Sequence, residues 1–131
     1  MAVIATDTPR FTNVVKAETL PEIAYCREVV TINDAAATLK VGTVLGKVTA
    51  TGKYKVAVET ATDGSEDAAA IVIQETVVPA TTDTKILVLV TGPSAVSKGA
   101  LILDSTYDDD TKKGVVYSQL WAKGIKVLET V

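Results

Sequence analysis

Leu39-Lys40-Val41-Gly42-Thr43-Val44-Leu45-Gly46-Lys47-Val48-Thr49-Ala50-Thr51-Gly52-Lys53-Tyr54 is the stretch on which the reading of the fold turns. Its glycines are set among β-branched residues, and it holds no acid, histidine or cysteine. Thr43-Val44-Leu45 suits a pleated strand, because branched side chains pack well on that surface. A glycine inside such a run marks a bulge or a close backbone approach, and that is the expectation for Gly46. Thr51-Gly52 supplies the positive φ that a tight turn demands. The segment reads as a sharply bent β-ribbon, with Gly42 at one of its bends and no side chain equipped for chemistry.

The rest of the chain agrees with a β reading. Its 131 residues suit one domain, and a chain of that size buries roughly 70% of its unfolded surface. It contains 20 valines and 19 threonines, while aromatic residues make up only 5%. The core must therefore be built from small branched side chains, as strands prefer. Net charge is −3. The basic residues are scattered, and their longest run is Lys112-Lys113. A phosphate backbone needs a clustered basic surface, so neither nucleic acid nor an anionic membrane is an expected partner. No apolar run nears the roughly 20 residues of a membrane helix, and the N-terminus lacks a signal-peptide pattern. The single cysteine, Cys26, cannot form an intrachain disulfide, which fits synthesis in a reducing compartment.

Residues 1–26 differ in character from the remainder of the chain. Pro9 and Pro21 interrupt them, and no periodicity lasts; they read as an N-terminal arm, ahead of a β-rich domain over 27–131. Arg27–Asn33 reads as a strand closed by Asn33-Asp34. Tyr54, Val56 and Val58 alternate onto one face. Asp63-Gly64 forms the apex of a loop, and Ala69–Gln74 is a short strand. Pro79 and Thr81–Thr84 mark another loop. Lys85–Thr91 is the most apolar strand, ended by Gly92-Pro93, and Ala100–Leu103 is a further short strand. One segment reads as a helix. Asp108–Thr111 offers acidic capping residues at its start, and Val116, Tyr117, Leu120 and Trp121 fall on one face. Gly124 is the expected left-handed residue after it, with Ile125 packing back on Leu120. Ile125–Thr130 is the expected last strand.

These features together resemble the lambda-type bacteriophage head decoration proteins. The resemblance is carried by Gly42-Thr43-Val44-Leu45-Gly46-Lys47 ahead of Gly52-Lys53-Tyr54 and by the Asp63-Gly64 turn. It is carried also by Tyr25-Cys26-Arg27-Glu28 opening the first strand, and by the short helix followed by Gly124-Ile125. It implies a mainly β domain of the β-clip or β-tulip type, with one short C-terminal helix and an extended N-terminal arm. It also implies a homotrimer on the outer surface of an expanded capsid, made in the host bacterial cytoplasm and bound to the phage major capsid protein. The arm would carry the contact, through Ala2, Val3, Ile4, Ala5, Thr6 and Phe11. Gly42, Gly46, Gly52, Gly64 and Gly124 would be the structural turns.

Chemistry is not expected. Without histidine the commonest general base and metal ligand are missing, and a Ser-His-Asp or Cys-His site is impossible. Cys26 beside Arg27 reads as a small buried or interface hydrophobe. Asp104 and Asp108–Asp110 fail as a calcium loop: counted from Asp104, the places of the EF-hand glycine and final acid hold Asp109 and Val115. The glycines of the ribbon do not match a phosphate loop, and no helix follows them. Lys53 lacks the acidic or methionine flank of a lipoyl or biotinyl carrier lysine. No cofactor, metal or catalytic residue is assigned. The alternative to a capsid protein is a small β-domain that binds a peptide or small ligand at a sheet edge, and a cofactor-carrier or accessory domain is the third reading.

Overall fold

The structure is a computed structural model and describes residues 14–18 and 26–129. Its strands are β1 (Val15–Glu18), β2 (Arg27–Ile32), β3 (Ala37–Leu39), β4 (Val44–Lys47), β5 (Tyr54–Val56), β6 (Ala68–Val72), β7 (Thr76–Val78), β8 (Thr84–Leu89), β9 (Ser94–Ser97) and β10 (Ile125–Leu128). A 3-10 turn spans Lys98–Ala100, and a helix, α1, spans Asp110–Ala122. The protein is mainly β with one short C-terminal helix, as expected.

The bent ribbon becomes part of a closed barrel of order β2-β5-β4-β6-β8. β4 and β5 pair as an antiparallel hairpin, with Leu45 opposite Val56 and Lys47 opposite Tyr54. β2 and β8 form the longest ladder, from Arg27 opposite Leu89 to Ile32 opposite Thr84. The barrel closes where β2 meets β5 in parallel through a single pair, Ile32 and Tyr54. Two further bonds extend that short seam. The Asn33 amide donates to the Tyr54 carbonyl at 3.0 Å, and the Val56 amide donates to the Asp34 carboxylate at 2.9 Å.

Two smaller sheets flank the barrel. β3 pairs with β7, and β9 lies between an antiparallel β1 and a parallel β10. The barrel wall separates two apolar clusters. Ile32, Leu45, Val72, Ile86 and Val88 lie in one of them. Val44, Ile71 and Leu89 lie in the other, with Val96, Val116, Leu120 and Ile125 from β9, α1 and β10. Sequence neighbours such as Val44 and Leu45 thus serve opposite clusters, because successive strand side chains point to opposite faces.

Several elements depart from the reading of the sequence. Ala100–Leu103 is not a strand: the 3-10 turn takes Ala100, and one isolated bridge pairs Ile102 with Thr43. Thr76–Val78 and Ser94–Ser97, for which the sequence suggests no element, are strands. The helix begins as expected, with the Asp109 carboxylate accepting the Lys112 amide at 2.8 Å. It ends at Gly124, whose φ is +89°. Its apolar face is narrower than expected: Val116 and Leu120 are fully buried, whereas Trp121 is 60% exposed. At 100° per residue, Trp121 lies beyond the edge of the stripe that Val116 and Leu120 define.

Candidate interaction surface

Ala2, Val3, Ile4, Ala5, Thr6 and Phe11, the residues assigned to capsid contact, lie outside the described residues. Part of the 1–26 segment is described, and it packs on the body. Val14 and Val15 are buried in the cluster beneath α1. β1 occupies the edge of β9, with Val15 opposite Val96 and Glu18 opposite Ser94. Cys26 is buried, its thiol donating to the Pro93 carbonyl at 3.8 Å. A valine pair and a four-residue strand are too short to show periodicity, so the sequence alone does not disclose this root.

The root is held by a half-buried ion pair that the sequence does not announce. Arg27 Nε lies 3.1 Å from both carboxylate oxygens of Glu18, and a terminal guanidinium nitrogen donates to Glu18 Oε1. The Glu18 side chain is only 5% exposed. Its hydrogen bond holds the Arg27 guanidinium above its ordinary pKa, against the opposing effect of burial. Glu18 lies in a segment without pattern, nine residues from its partner, and nothing local signals the pairing.

The glycines shape the body around this root. Gly42, Gly52, Gly64 and Gly124 have positive φ. Gly46 does not; it permits a close approach instead, because a Cβ there would overlap the backbone of Ser65. The β4–β6 ladder also shifts register between Leu45 and Gly46. The loop that meets Gly46 is held by Asp63, which accepts hydrogen bonds from the Ser65 hydroxyl and amide at 2.5 and 3.1 Å. These bonds draw its pKa below the ordinary carboxylate value.

The polar groups that could suggest chemistry are used structurally. Asp104 accepts from the Thr106 amide and hydroxyl, Asp108 pairs with Lys112, and Asp109 caps α1. Lys53 pairs with Asp83 at 3.0 Å, and Asn33 donates to the same carboxylate at 2.8 Å; Asn33 first, then Lys53, holds Asp83 below its ordinary pKa. Among the described residues, no group of three or more histidine, cysteine, aspartate and glutamate side chains could hold a metal ion. No helix among them is long and apolar enough to cross a membrane.

Two surface depressions lie at opposite ends of the three-stranded sheet. A groove of about 630 Å³ runs beside Glu18, Pro93, Ala95, Trp121 and Lys126, with the Lys126 ammonium 5.8 Å from the Trp121 ring centre. A more polar cleft of about 750 Å³ lies between the Lys98–Asp104 segment, Tyr117 and Glu129. Neither presents converging groups for acid–base or nucleophilic work.

No curated protein matches the chain. A family model does: bacteriophage lambda head decoration protein D, over residues 4–125.

Proposed function

Because the chain belongs to the family of bacteriophage lambda head decoration protein D, and is therefore a decoration component of a phage head that stabilises the capsid, we propose that it binds the outer face of the expanded shell as a homotrimer. The family match carries this reading. It starts at residue 4 and so takes in most of the chain ahead of β1. The N-terminal segment is proposed as the contact with the major capsid protein, with Ala2–Thr6 and Phe11 as its contact residues and β1 as its root. An extended segment adds a strand to an exposed sheet edge with little demand on sequence, because main-chain hydrogen bonds supply the affinity.

Stabilisation requires no reaction. A ligand that binds only the expanded lattice stabilises it by about 2.7 kcal/mol per site at a hundredfold excess over Kd, and a shell offers many sites. A chain without histidine, whose polar groups serve turns, caps and ion pairs, suits that task. The protein is proposed to have no catalytic role and no cofactor.

Co-sedimentation with expanded and unexpanded capsids tests the reading. Binding to the expanded form alone, at a stoichiometry of three per site, is the expected result. Equal binding to both forms, or to neither, refutes it, and failure to bind either form favours a peptide-binding β-domain. Two truncations locate the contact. Removal of residues 2–12 should leave the melting temperature within about 2 °C and weaken capsid binding at least tenfold. Removal of 2–20 also deletes β1, Val14 and Val15, and should unfold part of the body. Full-strength binding by the shorter truncation places the contact on the β-domain.

A further inference from the structure

β1 is four residues long, lies at a sheet edge, and is opposed by the small residues Ser94 and Ala95. Burial of Val15 against the core fixes the start of this strand, because a slip would misplace that side chain, but it does not fix which residue further along faces Ser94. The observed pairing is also irregular. Val15 is opposite Val96, Ala17 opposite Ala95 and Glu18 opposite Ser94, with one residue extra on β1 between Val15 and Ala17. Val96 and Ser94 are two apart and point to the same face, so Val15 and Glu18 share that face although they are three apart. Only the bulge at Lys16 allows this. In regular pairing from the same Val15–Val96 start, Glu18 would fall opposite Pro93 and point to the other face, away from the partner it now has.

That partner belongs to a different sheet. Arg27 is the first residue of β2 in the barrel wall, paired there with Leu89. Its fork reaches both oxygens of Glu18, whose side chain is almost wholly buried. A buried ion pair is weak evidence for net stability, because desolvation offsets much of the attraction, but fixing register is the best-attested use of one. The bulged register makes this pair, and the regular one would turn the Glu18 carboxylate away from Arg27.

We propose that the Glu18–Arg27 pair is a register lock: it holds β1 in the bulged pairing on β9 and so fixes the point at which the preceding residues leave the body. Its consequence for capsid binding rests on the role proposed above for the N-terminal segment; the lock itself does not.

Hydrogen exchange on the full chain, comparing wild type with Glu18→Gln and Arg27→Lys, tests it. Both variants keep a hydrogen-bonding group and lose the two-pronged charged contact. Exchange should quicken at least tenfold at the amides of residues 15–18 and 94–96 and change less than twofold at 86–89 in the barrel. The double variant Glu18→Gln with Arg27→Lys should lose no more protection than the worse single one. Unchanged exchange overturns the lock. Equal acceleration throughout the barrel also overturns it, because the pair would then be a general stabiliser. If Glu18→Gln does not fold, Arg27→Lys carries the same comparison. Local loosening with a several-fold loss of capsid binding supports lock and arm together. Local loosening with unchanged capsid binding supports the lock and removes the arm from the proposed function.

Discussion

Replacing Gly46 by alanine adds one methyl group and should be among the most damaging small changes in the molecule. The added Cβ would overlap the carbonyl oxygen, carbonyl carbon and Cα of Ser65. All three are backbone atoms, so no side chain can swing aside. Relief requires β4 to separate from the 63–67 loop. That loop is tied down by the Thr49 amide donating to the Asp63 carbonyl at 2.9 Å, and by the Tyr107 hydroxyl donating to the Glu66 carbonyl at 2.9 Å. β4 is held on its other side by β5. Overpacking in a tight interior costs about 1–3 kcal/mol, and a wholly backbone clash belongs at the upper end. With an unfolding entropy of ~2.1 cal/mol/K per residue, about 3 kcal/mol corresponds to a fall in Tm of about 11 °C for this chain. Gly114→Ala is the matched control. Nothing lies within 4 Å of a Cβ there, and the position is inside α1, so alanine should stabilise by about 0.5–1 kcal/mol. Thermal unfolding followed by circular dichroism, at one fixed protein concentration, compares the two. A Gly46→Ala protein within about 0.5 kcal/mol of wild type refutes the close-approach argument, since the same methyl group would then be accommodated without cost.

Two further outcomes are expected. Asp34→Ala should destabilise by about 1–3 kcal/mol in urea titration, because it strips the Val56 amide of its acceptor at a seam with one strand pair; Asp34→Asn, which keeps an acceptor oxygen, should recover most of the loss. Burial, then the charge of Glu59, raises the Tyr107 phenol above its ordinary pKa, so the folded chain keeps that proton more tightly than the unfolded one. The corresponding stability is complete below the ordinary phenol value near 10, and is lost as pH rises through the folded value. Tyr107→Phe should therefore lower Tm at neutral pH through loss of the bond to Glu66 and should flatten the alkaline limb of a Tm-against-pH curve; an unchanged alkaline limb assigns that limb to other groups.

What can be read from the sequence is local. The helix start at Asp109, its end at Gly124, and the bend and bulge around Gly42–Gly52 each depend on a few adjacent residues and their backbone needs. β2, β6 and β8 carry runs apolar enough to announce themselves. Ser94–Ser97 does not: Ser-Ala-Val-Ser is a strand because β1 and β10 flank it, and both come from far away in the chain. Ala100–Leu103 shows the converse, an apolar run that finds one bridge and no ladder. Trp121 has the size and spacing of a core residue, but the buried stripe of α1 is only as wide as the surface it covers. The Glu18–Arg27 pair has no sequence signature, because its two residues are brought together by a bulge and a sheet crossing.

The make-up of the three-stranded sheet has a consequence for the order of biosynthesis. The barrel is complete once residue 89 has left the ribosome, since β2 to β8 span 27–89. The sheet that seats β1 needs β9, and its far strand β10 ends at Leu128. β1 is among the first strands to be translated, yet it must wait for nearly the whole chain before its sheet exists. A product truncated before β9 has every strand of the barrel but no strand on which to seat the N-terminal root. Domains fold as units during synthesis, and here the unit that positions the N-terminal segment is the last to be finished. On the role proposed for the N-terminal segment, incomplete chains would be poor competitors for sites on the shell.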